Sequence, residues 1–107
     1  MAQVELNGAQ NGAQIVVHAG DVVTIRLTEH SGGGYRWTPT SVDAARLELQ
    51  QHDYETTRAG VGSAGASVWK FVARTPGRTR LELKQLRPWE QPDAAAERFW
   101  IDLDIRD

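Results

Sequence analysis

Apolar and polar residues alternate with a period of two along most of the chain, which is the signature of half-buried β-strands. The clearest run sets Phe99, Ile101, Leu103 and Ile105 on one face against Trp100, Asp102, Asp104 and Arg106 on the other. Leu81, Leu83 and Gln85 alternate in the same way with Glu82, Lys84 and Leu86, and Val23, Ile25 and Leu27 with Thr24, Arg26 and Thr28. Trp69, Phe71 and Ala73 share a face, Ile15-Val16-Val17 is a β-branched run, and Leu47 and Leu49 open a strand whose polar remainder predicts an exposed or edge position. Val4 and Leu6 mark a short first strand; Asn7-Gly8 and Asn11-Gly12 then predict a hairpin, or an edge strand with a bulge, within the first dozen residues. Ala19-Gly20-Asp21 turns the chain, and Thr75-Pro76-Gly77-Arg78 has the composition of a β-turn. Pro39 is expected to stop the strand begun at Tyr35, and Ser41 to cap a helical turn reaching Arg46; a second helical turn is expected at 92–96. Seven or eight short strands without a long helix predict an all-β, two-sheet antiparallel sandwich.

Composition narrows the function classes. At 107 residues the chain is expected to be one domain, 1–107. A formal charge of −2 with dispersed arginines argues against a nucleic-acid partner, because phosphate binding needs clustered Lys and Arg. The absence of cysteine excludes disulfides, thiol nucleophiles and thiolate metal sites. No apolar run approaches a membrane span, and the N-terminus lacks the pattern of a signal peptide, so the chain is expected to be cytoplasmic as written, or exported after loss of a leader.

Catalytic readings fail on spacing. Gly60-x-Gly62-x-x-Gly65 has the letters of a dinucleotide fingerprint, but β-forming residues follow it where a helix is needed. His18, His30 and His52 are scattered without metal-ligand spacing, and Asp102 and Asp104 are explained by a solvated strand face. Ser31 and Ser63 lack a nucleophile-elbow setting. No enzyme, catalytic residue, metal or cofactor is predicted.

Three loops remain. His30-Ser31-Gly32-Gly33-Gly34-Tyr35 cannot propagate a strand, and its glycines free the backbone to take positive φ. Gly60-Val61-Gly62-Ser63-Ala64-Gly65 is a second glycine-rich loop. Arg87-Pro88-Trp89 opens a third, where proline ends the strand ladder and leaves a large aromatic with no periodic face to join. A tryptophan on so stiff a step suits an interface hot spot; the alternative is a hydrophobic plug folded over the end of the sandwich. The working expectation is that the three tips form one binding edge.

This loop trio resembles the chagasin-type inhibitors of papain-like cysteine proteases, whose pattern is Asn-Pro-Thr-Thr-Gly-Tyr/Phe, then Gly-x-Gly-Gly before an aromatic strand, then Arg-Pro-Trp/Phe. Arg87-Pro88-Trp89 matches the third motif completely. The second falls on Gly62-Ser63-Ala64-Gly65, with Ala64 replacing a glycine, or on the register starting at Gly60. In the first, Gly34-Tyr35 is kept while His30, Ser31 and Gly32-Gly33 stand for Asn, Pro and Thr-Thr. The resemblance implies an immunoglobulin-like sandwich without a disulfide, acting as a monomer on a papain-like cysteine protease, with the loops wedged reversibly into the active-site cleft. It implies that the first loop covers the catalytic cysteine and histidine, the second pairs with the non-primed side, and the aromatic of the third packs on the primed side. Weaker inhibition or a shifted target is expected from the altered first loop. Two competing readings are a carbohydrate- or ligand-binding module using Trp89, Trp100, Asp102 and Asp104, and a same-fold domain that has lost or redirected protease binding.

Overall fold

The computed structural model describes residues 2–29, 34–56, 65–91 and 97–107. Among the described residues eight strands form two sheets: β1 (Gln3–Asn7), β2 (Gln14–His18), β3 (Val22–Glu29), β4 (Arg36–Ser41), β5 (Leu47–Thr56), β6 (Gly65–Ala73), β7 (Gly77–Leu86) and β8 (Glu97–Arg106). One sheet has the order β1-β3-β6-β5 and the other β2-β8-β7-β4. Their inner faces are the apolar faces of the alternating runs. Val23, Ile25, Leu27, Leu47, Trp69, Phe71 and Ala73 meet Val17, Trp37, Leu81, Leu83, Phe99, Ile101, Leu103 and Ile105, all buried. Each fully buried Val, Leu, Ile or Phe among them contributes on the order of 1.5–3 kcal/mol, and no disulfide is needed to hold the sheets together.

The N-terminus departs from expectation. Instead of a hairpin, β1 pairs in parallel with β3 and β2 in parallel with β8, so both sheets are mixed. A 3-10 turn at Gly8–Gln10 carries the chain from one sheet to the other. Asn7 caps it by accepting the Ala9 N–H (2.8 Å), while Gln10 reaches back to accept the Asn7 N–H (2.7 Å). The second turn signal docks on β8: Asn11 Oδ1 accepts the Trp100 N–H (2.9 Å), and Gly12, at φ +81°, donates to the Trp100 carbonyl (2.7 Å). A turn dipeptide reports a local bend but not which strand follows it into which sheet.

Pro39 does not end its strand. Because β4 is an edge strand, a residue without an N–H is tolerated, and a register shift follows between Pro39 and Ser41. Ser41 is accordingly a strand residue, and the helical turn begins at Asp43, whose Oδ1 accepts the Ala45 N–H (3.0 Å). The turn expected at 92–96 lies outside the described residues.

Candidate functional site

The strand ends fix where the loops emerge. Across the first sheet Glu29 pairs with Gly65 and Gly65 with Thr56. Across the second, Arg36 pairs with Leu86 and Gln85 with Glu97. The strand ends at Glu29, Thr56 and Leu86 therefore lie at one pole of the sandwich. Trp37 ties the two rows of strand ends: its N–H donates to Glu29 Oε1 (2.7 Å) and its indole Nε1 to the Thr28 carbonyl (2.8 Å). Since β3 and β4 belong to different sheets, these bonds hold both feet of the first loop at a set separation.

The sequence-predicted site residues divide as follows. His30, Ser31, Gly32 and Gly33 of the first loop, and Gly60, Val61, Gly62, Ser63 and Ala64 of the second, lie outside the described residues. Gly65 is a correction, because it is the first residue of β6 and not a loop residue. It is buried against Tyr54, and a Cβ there would collide with the Tyr54 hydroxyl and lie 2.6 Å from the Glu55 carbonyl oxygen. Its missing side chain serves strand packing at the foot of the loop.

Gly34, Tyr35, Arg87, Pro88 and Trp89 are brought together. Gly34 takes φ +83°, the left-handed region that favours glycine, and a Cβ on it would sit 3.9 Å from the Trp89 ring. The Arg87 guanidinium lies 4.6 Å from the centroid of the Tyr35 ring and 5.8 Å from that of Trp89, distances at which a cation is attracted to the aromatic faces. The foot of the first loop and the third loop thus share one cationic brace. Trp89 itself is 72% exposed, so it is no plug on the sandwich. The turn that carries it closes between Arg87 and Glu90: the Glu90 N–H donates to the Arg87 carbonyl (3.0 Å), and Glu90 Oε1 accepts the Arg87 N–H (2.9 Å).

Two acidic residues escaped the sequence reading. Glu29 continues the buried face of Val23, Ile25 and Leu27 and is only 2% exposed. Its second oxygen faces Arg36 Nη1 at 3.9 Å. A carboxylate at the next position of an apolar face was the available signal. Glu90 follows Arg87 by three residues, the spacing at which a side chain can return to the backbone N–H that opens a turn.

The outer face of the second sheet is occupied by its own partners. Arg80 grips Asp102 with two hydrogen bonds (2.7 and 3.1 Å) and lies 4.0 Å over the Trp100 ring, while Asp104 pairs with Arg106 (3.2 Å). The Arg80 hydrogen bonds hold Asp102 below the usual carboxylate value, opposite to what a general acid near neutrality needs. A sugar would have to displace the guanidinium from the indole face.

Residues 16–103 match the family model described as chagasin family peptidase inhibitor I42. The chain belongs to the chagasin family. It is thereby placed among inhibitors and not among enzymes. Chagasin of Trypanosoma cruzi is 25% identical over 100 residues, covering 89% of this chain and 91% of that protein. Among solved structures, the cysteine protease inhibitor EhICP2 from Entamoeba histolytica superposes with a TM-score of 0.87 at 20% identity, covering 98% of this chain and 96% of the other. Amebosin follows with a TM-score of 0.77 at 22% identity, covering 97% and 98%. PbICP-C, solved in complex with falcipain-2, has a TM-score of 0.68 at 15% identity and covers 99% and 100%. At these identities the three solved structures establish the fold, and the all-β, cysteine-free sandwich of this chagasin-family chain is that fold.

Proposed function

We propose that this chagasin-family chain, acting as one sandwich domain, is a reversible inhibitor of papain-like cysteine proteases whose loop pole enters the active-site cleft. The observation that carries the reading is the Arg87–Glu90 turn, which holds a solvent-exposed Trp89 beside the foot of the first loop. Trp89 is the anchor, packing on the primed side. The first loop, His30 to Tyr35, lies over the catalytic cysteine and histidine, and the second, Gly60 to Ala64 with Gly65 at its foot, runs along the non-primed side. An inhibitor loop that offers no peptide bond in cleavable register blocks the nucleophile without being consumed.

Titration of papain, or of a cathepsin L-like enzyme, with the purified protein tests this directly. Peptidase activity should fall in proportion to added protein and recover on dilution; full activity at micromolar excess would remove the assignment. Gly32-Gly33 in place of the Thr-Thr of the family motif favours a second reading, in which protease binding has been lost or redirected. Installing threonine at both positions separates the two. A large gain from near-zero inhibition supports loss, whereas a small change shows that the native first loop suffices.

A further inference from the structure

Trp89 stands clear of the core, yet its turn is closed by a side chain as well as by the backbone. Glu90 Oε1 accepts the Arg87 N–H at 2.9 Å, and the Glu90 N–H returns to the Arg87 carbonyl at 3.0 Å. The Arg87 N–H is the first main-chain donor beyond β7, and Pro88, which follows, has none to offer. With that donor satisfied by a charged acceptor, both ends of the four-residue turn are fixed. The turn sets the direction of Trp89, and the Arg87 guanidinium, anchored over Tyr35, limits where the indole can swing.

We propose that Glu90 is a positioning residue for Trp89: its carboxylate closes the Arg87–Glu90 turn and pre-orders the tryptophan for docking, so Glu90 strengthens inhibition through Trp89 and not by touching the protease. This rests on the inhibitory reading above. An ordered anchor avoids the conformational cost that a free one incurs on binding. The acceptor matters and its charge does not, since glutamine offers a carbonyl oxygen at the same reach.

The test compares wild type, Glu90→Ala, Glu90→Gln, Trp89→Ala and the Trp89→Ala/Glu90→Ala double variant as inhibitors of papain, with hydrogen exchange of the Arg87 amide measured on the free proteins. Glu90→Ala should raise the inhibition constant by roughly 3- to 10-fold, the range expected for ordering one large side chain on docking. Glu90→Gln should stay within about 2-fold of wild type. In the Trp89→Ala background, Glu90→Ala should change little, because a residue that acts through another loses its effect once that other is gone. The Arg87 amide should exchange faster in Glu90→Ala and at the wild-type rate in Glu90→Gln. Equal losses in the alanine and glutamine variants, or a full Glu90→Ala loss without Trp89, would overturn the proposal in favour of direct contact with the protease. An Arg87 amide unprotected in wild type would overturn it in free solution. If wild type itself does not inhibit papain, the inhibitory reading falls, and the exchange rates still report whether Glu90 closes the turn.

Discussion

The two ends of the sandwich use their polar groups differently. At the end opposite the loops, carboxylates and carbonyls tie chain segments to one another. Asp21 accepts the N–H groups of Ala2 and His18 (both 2.9 Å) through its two oxygens, and its carbonyl accepts the Ala73 N–H (2.9 Å). Nearby, Arg46 pairs with Asp43 (2.8 Å), its carbonyl accepts the Arg74 N–H (2.8 Å), and Thr75 Oγ1 donates to the Ala45 carbonyl (2.9 Å). At the loop end, Trp37, Glu29 and Glu90 brace the feet of loops whose aromatic tip is left in solvent. One pole ties chain segments together and the other is the proposed contact surface, so side-chain truncations at the two should differ in their effects.

The largest effect belongs to neither pole. Phe71→Ala, in the fully buried centre of the first sheet, should cost about 3–5 kcal/mol in urea unfolding, while molecules that remain folded inhibit normally. Asp21→Asn should come next, lowering the melting temperature by several degrees at neutral pH without changing inhibition. Hydrogen bonds from Ala2 and His18 hold the Asp21 carboxyl below its usual value of 3.8. A group with a lowered folded-state value stabilises above the unfolded value and loses that contribution as pH falls through the folded one. The gap between wild type and Asp21→Asn should thus be constant above about pH 5 and close in acid below 3.8, as thermal melts across that range will show. Trp89→Ala inverts the pattern. It should leave urea stability within about 0.5 kcal/mol of wild type and weaken papain inhibition by about 1–3 kcal/mol. Gly34→Ala is the exception at the loop end, costing about 1–2 kcal/mol of stability from its left-handed backbone alone, since the new Cβ makes only ordinary contact with Trp89. An equal drop in stability and affinity for Trp89→Ala would erase the distinction between the poles.

The sandwich was legible because its evidence is periodic. Phe99 to Ile105, Leu81 to Gln85 and Val23 to Leu27 each place their buried faces as the alternation requires. The parallel pairings of β1 and β2 were not, because Asn7-Gly8 and Asn11-Gly12 describe bends while the partner strands lie far along the chain. Pro39 misled for a related reason: its effect depends on whether the strand is central or at an edge, which is a property of the whole sheet. At the site, exposure of Trp89 could be read from Pro88 beside it. The braces could not, since the pairs Trp37–Glu29 and Arg87–Tyr35 join residues on different strands or loops. Glu90 was within reach, its spacing from Arg87 being local.

Hydrogen exchange of the protein free and saturated with papain tests the central claim most directly. Amides around Gly34 to Arg36, at the start of β6, and from Arg87 to Glu90 should slow on binding, while those at Gly20, Asp21 and Ala45 to Leu47 keep their free rates. Protection concentrated at the Asp21 and Asp43 end, with the Trp89 turn unchanged, would contradict the account.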